Sequence, residues 1–214
     1  MQVLTEDETL DAALKGISIA RYGDGELRLA VGGTSISQRE RSPKLTSELR
    51  ETLSSPPVNC LACIPRLGPD LNDKQWLKYS TWQYKQLYNL NATYGSLHIT
   101  RPDSAPHINR PDYWAKLRSL WANRNVVLVR GCDRSLVPDQ MRDASSIREV
   151  MGLYVDSYKV IDRVEAEIGT PPLSYPVIIC MGATATVLAA RLARKGVWAL
   201  DLGHVGMFMR RFGV

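Results

Sequence analysis

Two carboxylates that stand two residues apart, Asp24 and Glu26, are the strongest indication of chemistry in this chain. They lie in the sequence RYGDGE (residues 21–26), between glycines and directly after an apolar segment. Carboxylates at this spacing on a loop can converge on one hard cation, which keeps water ligands and bridges phosphate oxygens. The glycines let the backbone approach a ligand closely, and Arg21 offers a planar fork for a phosphate. An ordinary surface turn is the alternative interpretation, because Gly-Asp-Gly is a common turn sequence.

A second candidate site is the sequence GATAT (residues 182–186), which stands between a predicted strand and a predicted helix. Backbone N–H groups and hydroxyls at the start of a helix suit an anion, typically a phosphate. The sequence lacks the Gly-Lys-Ser/Thr of a Walker motif and the spacing of GxGxxG, so neither nucleotide motif is present. A helix that is simply capped by Thr184 or Thr186 is the alternative interpretation.

Polar residues follow three further apolar segments. Asp201 and His204 come after the last predicted strand, where they could serve as a base, a metal ligand or a ribose contact. Arg101 and Asp133, the latter a third candidate base, each follow another predicted strand. Loops that follow strands of a parallel sheet meet at one edge, so these five polar loops predict a single binding rim.

The elements that must position these residues alternate between strands and helices, which predicts one α/β domain with a mostly parallel sheet. Thr5 and Glu8 have the spacing of a capping box at the start of the first helix. The predicted strands are 17–20, 58–64, 97–100, 125–130, 145–150, 176–181 and 197–202, and the predicted helices are 5–15, 42–54, 71–90, 112–122, 155–168 and 187–195.

Composition sets the class of protein. The 214 residues are 44% hydrophobic and 23% charged, which is ordinary for a globular chain and excludes collagen-like and wholly disordered proteins. The net charge of +5 suits an anionic ligand, or only a slightly basic surface. The acidic start has no apolar run, and no stretch approaches the roughly 20 apolar residues of a membrane span, so we expect a cytoplasmic protein. Cys60 and Cys63 lack a second pair at zinc spacing and are predicted to be strand cysteines.

Longer stretches of the chain resemble a known family, the GT-D-type glycosyltransferases, once described as a domain of unknown function in bacterial glycan-assembly enzymes. Residues 19–27 resemble the family's RYGDGE signature, and residues 180–205 (CMGATATVLAARLARKGVWALDLGHV) resemble its long carboxyl-terminal block. Residues 99–102, 117–131 and 143–148 resemble three further segments in the same order. The ordered matches span about residues 17–206, which is nearly the whole chain.

This resemblance implies a Rossmann-like α/β sandwich formed by residues 1–214 as a single domain. It implies the transfer of a hexose, typically glucose, from a uridine diphosphate sugar to a glycan or glycoprotein, with Mn²⁺ or Mg²⁺ held by Asp24 and Glu26. The candidate catalytic residues are Asp24, Glu26, Asp201 and His204. The candidate donor-binding residues are Arg21, Tyr22, Gly23, Gly25, Arg101, Gly182, Thr184 and Thr186.

Three positions depart from the family pattern. Arg130 stands where the family commonly has an acidic residue, Gly206 stands at another position that is often acidic, and Ala183 replaces a proline. These departures leave two other interpretations open. One is a phage-type DNA glycosyltransferase that acts on hydroxylated pyrimidines, and the other is a non-catalytic nucleotide- or nucleic-acid-binding module. The arginines that would contact DNA phosphates are Arg130, Arg134, Arg142, Arg210 and Arg211.

Overall fold

The computed structural model describes residues 1–72, 74–132, 135–172 and 174–213. Within these residues, eight strands form one parallel sheet in the order β1-β4-β3-β2-β8-β7-β5-β6. The strands are β1 Gln2–Val3, β2 Ser18–Arg21, β3 Cys60–Ile64, β4 Thr93–Ser96, β5 Asn125–Arg130, β6 Ser146–Met151, β7 Val177–Cys180 and β8 Ala199–Asp201. The prediction of an α/β domain with a parallel sheet is confirmed.

Helices cover both faces of the sheet, which is why the central strands are apolar on both sides. The helices are α1 Glu6–Leu14, α2 Asp24–Ala30, α3 Pro43–Ser54, α4 Trp82–Lys85, α5 Pro111–Arg118, α6 Ile161–Ile168, α7 Ala183–Arg194 and α8 Val205–Phe212. The core on one face contains buried residues of α2, α3, α6 and α7, and the core on the other contains those of α1, α5 and α8. The result is a three-layer sandwich.

Local sequence signals set several helix boundaries. The Thr5 hydroxyl accepts a hydrogen bond from the Glu8 N–H at 3.3 Å, and the Thr5 N–H donates to Glu8 Oε2 at 2.8 Å, so the predicted capping box is present. Ser42 caps α3 in the same way, since its hydroxyl accepts from the Leu45 N–H at 3.2 Å. Pro43 then occupies the first helical position, where a missing N–H costs nothing.

The long helix predicted over residues 71–90 is wrong. The chain there forms a 3₁₀ turn, Leu77–Ser80, and the short helix α4. The aromatic residues of this segment do not share one face: Trp76 and Tyr79 are buried, whereas Trp82 is 78% exposed. Their mixed spacing therefore favours two short turns over one amphipathic helix.

The strand predicted over residues 97–100 is also wrong. The strand lies one segment earlier, at Thr93–Ser96, and Leu97–Thr100 is a 3₁₀ turn. The Ser96 hydroxyl accepts from the His98 N–H at 3.1 Å and so starts this turn. The apolar residues of 97–100 are buried by the turn and not by pairing in the sheet.

Two predicted loops are the first turns of helices. Residues 24–26 begin α2, and residues 183–186 begin α7, four residues earlier than the predicted helix start. The helix predicted over residues 155–168 begins at Ile161, after the 3₁₀ turn Ser157–Val160. None of the helices in the described part of the chain is long and apolar enough to cross a membrane.

The order of the strands in the sheet determines where a ligand site is expected. After β2 the chain builds the sheet outward through β3 and β4, and it later returns through β7 to β8, which pairs with β2. The carboxyl ends of β2 and β8 therefore border the point where the strand order reverses, which is where open parallel sheets bind ligands.

Candidate active site

A cleft of about 300 Å³ opens at the carboxyl ends of β2 and β8. Nine of the twelve residues predicted for the site line it: Arg21, Gly23, Asp24, Gly25, Glu26, Arg101, Gly182, Asp201 and His204. Residues that the sequence did not single out complete the lining, among them Arg28, Ser35, Ser37 and Tyr154. The four polar loops at residues 21–26, 101, 182–186 and 201–204 thus meet at one rim, as predicted from the strand ends.

The two spaced carboxylates belong to the first turn of α2. Asp24 is exposed and its Oδ2 accepts from Arg28 Nη2 at 2.6 Å, one helical turn further on. Glu26 folds back towards the start of the helix, where its Oε2 accepts from the Gly23 N–H at 2.8 Å. Each carboxylate keeps a second oxygen for another ligand, and both side chains line the same cleft.

Negative charge is concentrated around Glu26. Burial, and then the negative charges of Asp201 and Asp24, raise the pKa of the Glu26 carboxyl to about 7. Burial also raises the pKa of Asp201, although Arg21 opposes that rise. The negative charges of Asp201 and Asp24 thus act on Glu26, so positive charge in this part of the cleft is electrostatically favourable.

Arg21 forms the floor of the cleft and is firmly held. Its Nη1 donates to the Leu97 carbonyl at 3.2 Å and to the Thr100 hydroxyl, while its Nε lies 3.8 Å from Asp201 Oδ1. A Cβ on Gly203 would overlap Nη2 of this guanidinium, so glycine at that position leaves the space that Arg21 fills. Arg21 therefore joins β2 to β8 and to the turn after β4.

Three of the predicted donor-binding residues lie behind the cleft. The Tyr22 hydroxyl donates to the Leu49 carbonyl at 2.8 Å in the core between α2 and α3. Thr184 Oγ1 accepts from the Ser157 hydroxyl at 2.7 Å, and the Thr186 hydroxyl donates to the Arg21 carbonyl at 2.7 Å. The structure gives all three side chains partners within the protein.

Arg101 and His204 supply the basic wall. Arg101 is bound to Asp103 at 2.7 Å and stacks on the rings of Trp76 and Phe208, each 5.4 Å from its guanidinium carbon. Desolvation, and then the positive charges of Arg21 and Arg101, lower the pKa of His204. His204 is therefore an uncharged imidazole at neutral pH, able to accept a proton.

The cleft continues into a second cavity of about 150 Å³ towards β5 and β7. Ser37, Tyr154, Gly182 and His204 line both spaces, and the inner one also reaches Cys132. A Cβ on Gly182 would lie 3.0 Å from the Ser37 side chain, so the loop before α3 closes directly over the start of α7. No pattern in residues 35–37 predicted this contact, because it depends on tertiary packing.

The departures from the family pattern have distinct environments. Arg130 is paired with Glu149 on the neighbouring strand β6. A Cβ on Gly206 would lie 2.6 Å from the Ser135 carbonyl oxygen and 2.7 Å from Gln140 Oε1, so no larger side chain fits there without movement. Asp133, a candidate base, and Arg134, a candidate DNA contact, lie outside the described residues.

A separate cluster joins Glu6, Asp70 and His107, whose ligand atoms all lie within 4.8 Å of one another. Arg66 donates to Glu6 Oε2 at 2.7 Å and to Asp70 Oδ2 at 2.6 Å, and the Ser96 hydroxyl donates to Glu6 Oε1 at 2.6 Å. The Arg66 guanidinium bridges both carboxylates and offsets part of their negative charge, so the cluster contains an ion-pair network. None of its three members lines the cleft.

Comparisons with known proteins point to one family. The model of the family described as "Glycosyltransferase GT-D fold" matches residues 19–211. A probable glycosyl transferase Gly from Streptococcus gordonii is 30% identical over 220 residues, which cover 96% of this chain and 32% of that protein. Glycosyltransferase GlyD from Streptococcus pneumoniae serotype 4 is 27% identical over 225 residues, covering 96% of this chain and 27% of that protein. The chain thus spans about a third or less of these curated relatives.

Solved structures show the same fold. A glycosyltransferase (DUF1792) from Streptococcus sanguinis is similar over 100% of this chain and 86% of its own, with a TM-score of 0.83 and 26% identity. A second structure, of a domain of unknown function 1792 described as having a distinct glycosyltransferase fold, is 28% identical with a TM-score of 0.83 and is covered over 83% of its length.

Proposed function

The chain belongs to the GT-D glycosyltransferase fold family, and on that premise we propose that it is a metal-dependent hexosyltransferase. Its donor is a uridine diphosphate sugar, with glucose as the hexose, and its acceptor is a glycan or glycoprotein. The observation that carries this proposal is the shared cleft, in which two carboxylates of α2 face Arg101 and His204.

Asp24 and Glu26 fit a hard divalent cation. Carboxylate oxygens are the ligands that Mn²⁺ and Mg²⁺ prefer, and the open cleft leaves room for water and phosphate oxygens. Held by these carboxylates, a divalent cation would offset the negative charge that develops on the departing nucleoside diphosphate. The mutual repulsion of Asp24, Glu26 and Asp201 supports this assignment, because it is relieved when positive charge enters the cleft.

Residues of the chain itself can stabilise the leaving phosphate and accept the proton of the acceptor hydroxyl. During transfer the bond between the anomeric carbon and the phosphate oxygen breaks, and the anomeric carbon bonds to an acceptor hydroxyl oxygen, which loses its proton. Arg101 and Arg21 place positive charge beside the leaving phosphate. His204, exposed in the cleft with a lowered pKa, suits the role of base better than Asp201, which is 4% exposed and already bonded to the Arg21 and Gly203 N–H groups.

The partners of the arginines that would contact DNA favour a glycan acceptor over DNA. Arg130 is paired with Glu149, Arg210 donates to Gln140 Oε1 at 2.9 Å, and Arg142 lines a depression that also contains Asp139 and Asp143. Arg130 is thus compensated by a carboxylate, and the two aspartates offset part of the charge of Arg118, Arg142 and Arg210 in that depression. A DNA acceptor would instead show itself by an affinity that falls steeply with salt.

Nucleotide binding tests the proposal through the Asp24→Asn variant. We expect UDP with Mn²⁺ at a hundredfold excess over its Kd to raise the Tm by about 5–10 °C, and UDP without metal to do much less. The shift should be lost in Asp24→Asn, because the carboxylate that holds the cation is gone.

Asp112→Asn is the matched control, since Asp112 also lies in the first turn of a helix and pairs with an arginine at 2.7 Å. It should keep the full response. An Asp24→Asn chain that responds as strongly as the unmodified chain would remove Asp24 from the metal site. GDP and CMP in the same assay test the choice of uridine.

A further inference from the structure

A second concave surface, the aromatic groove, lies beside the cleft at the carboxyl end of β3 and has a volume of about 420 Å³. Its floor and walls include Trp76, Tyr79 and Tyr88, and its rim includes Arg66 and Lys85. This volume is within the range of small-molecule sites, which are mostly apolar with a few placed polar groups. Nothing in the cleft chemistry described above uses this groove.

The aromatic groove and the cleft share a wall. The guanidinium of Arg101, which lines the cleft, stacks on the ring of Trp76, which lines the groove, at 5.4 Å. Burial, and then the negative charge of Asp24 in the cleft, raise the pKa of Tyr79 to about 12. A ligand in the groove would therefore be separated from a ligand in the cleft by the stacked side chains of Arg101 and Trp76.

Tyr79 gives the most specific indication that the groove binds a ligand. Its side chain is only 3% exposed, yet its hydroxyl has no hydrogen-bond partner among the described residues. A buried hydroxyl without a partner costs free energy, and a ligand hydroxyl that reached it would recover that cost. Trp76, by contrast, is fully bonded, since its indole N–H donates to the Ser104 hydroxyl at 3.1 Å, so its ring is a fixed platform.

Of the two basic side chains at the rim of the groove, Arg66 is already compensated, which leaves Lys85 as the other. Arg66 is already paired with Glu6 at 2.7 Å and with Asp70 at 2.6 Å, so it offers little attraction to a polyanion. A pyranose ring has C–H faces that pack on aromatic rings and hydroxyl edges that bond to polar groups, which matches fixed rings beside an unpartnered hydroxyl.

We propose that the aromatic groove binds a pyranose ring of the saccharide acceptor, with the Tyr79 hydroxyl as a hydrogen-bond partner of a sugar hydroxyl. This inference rests on the proposed function, because it assigns the acceptor to the space next to the proposed donor site. A nucleobase of the donor is the other aromatic-binding ligand that the reaction contains, and the test separates the two.

The experiment measures binding to Tyr79→Phe by titration followed by NMR, with cellobiose and N,N′-diacetylchitobiose as saccharide probes and UDP with Mn²⁺ as the nucleotide probe. We expect the variant to bind the saccharides about three- to tenfold more weakly, as for the loss of one neutral hydrogen bond. Its affinity for UDP with Mn²⁺ should stay within about twofold. It should fold at least as stably as the unmodified chain, because the hydroxyl that is removed is buried and has no partner among the described residues.

Tyr84→Phe is the matched control: its ring lies 4.9 Å from that of Tyr79, but Tyr84 does not line the groove. It should bind both probes normally. Unchanged saccharide binding in Tyr79→Phe, or no saccharide binding by the unmodified chain, overturns the proposal. A loss of nucleotide affinity in its place assigns the groove to the donor and also overturns it. Intact saccharide binding without any binding of UDP and Mn²⁺ would refute the donor assignment alone.

Discussion

Replacing Gly203 with alanine should displace the floor of the cleft. Gly203 follows β8 with a φ of +52°, a left-handed conformation that side chains rarely adopt. A Cβ there would overlap Nη2 of Arg21, which is buried and cannot move without breaking its contacts. The substitution therefore adds backbone strain and a steric conflict at one position.

The two costs can be estimated separately. Alanine in the left-handed region costs about 1 kcal/mol more than glycine. Displacing Arg21 breaks its bonds to the Leu97 carbonyl and the Thr100 hydroxyl and weakens its pairing with Asp201. Hydrogen bonds from a charged donor contribute about 1.5–3 kcal/mol each, so the loss of both bonds together with the backbone cost should lower the free energy of unfolding of Gly203→Ala by about 4–7 kcal/mol.

Urea unfolding measures this loss, and Gly196→Ala supplies the matched control. Gly196 has a φ of +75° after α7, and a Cβ at this position would have no neighbouring atom within 4 Å, so only the backbone cost of about 1 kcal/mol applies. Equal losses in the two variants would refute the idea that Arg21 requires the glycine. We also expect Gly203→Ala, and not Gly196→Ala, to weaken the binding of UDP with Mn²⁺.

Two further predictions concern stability. Burial lowers the pKa of His98 to about 4, so the folded chain keeps it uncharged at a pH where the unfolded chain would protonate it. The free energy of unfolding should therefore fall as the pH decreases from about 6.5 to 4, by about 3 kcal/mol at most, and urea titrations of His98→Gln should show a smaller fall. Arg191 pairs with Glu48 at 2.6 Å and with Glu165 at 3.1 Å while only 15% exposed. Arg191→Met leaves both carboxylates without this partner and should cost about 2–3 kcal/mol in urea unfolding, whereas Arg194→Met, which removes an exposed pair with Glu51, should cost under about 1 kcal/mol. Equal costs would show that the Arg191 network adds nothing beyond surface pairing.

The sequence predicts those parts of the site that depend on local order along the chain. Polar residues directly after apolar strands, such as Asp24 after β2 and Asp201 at the end of β8, are brought together by any parallel sheet in which those strands are neighbours. The contribution of Ser37 and Tyr154 could not be predicted in this way. Both belong to long connections, and the Asp156 N–H donates to the Ser37 carbonyl at 2.9 Å, so tertiary contacts hold these connections together.

The prediction of one long helix over residues 71–90 is wrong for a related reason. Residues 71–90 contain helix-compatible residues, but the direction in which each ring points is decided by the available partners and not by helical spacing. Trp76 turns inward because Ser104 accepts its indole N–H, while Trp82 stays in solvent. Helical periodicity predicts a helix only where one face of a segment packs against a single core. Residues 71–90 border both a core and the aromatic groove.

The alternation of side chains at the end of β2 decides that Arg21 lines the cleft and that Tyr22 is buried. Successive side chains along an extended segment point to opposite faces. Arg21 points towards Thr100, so its neighbour Tyr22 must point into the opposite layer of the sandwich. The structure agrees, since the Tyr22 hydroxyl bonds to Leu49 of α3. Thr186 lies on the helix α7, and its hydroxyl donates to the Arg21 carbonyl and so anchors the start of α7 to the end of β2. Such residues act on a ligand only through the groups they hold in place. Thr186→Val should therefore disturb Arg21 and destabilise the fold together, whereas substitution of the cleft-lining Asp24 should affect binding while the fold survives.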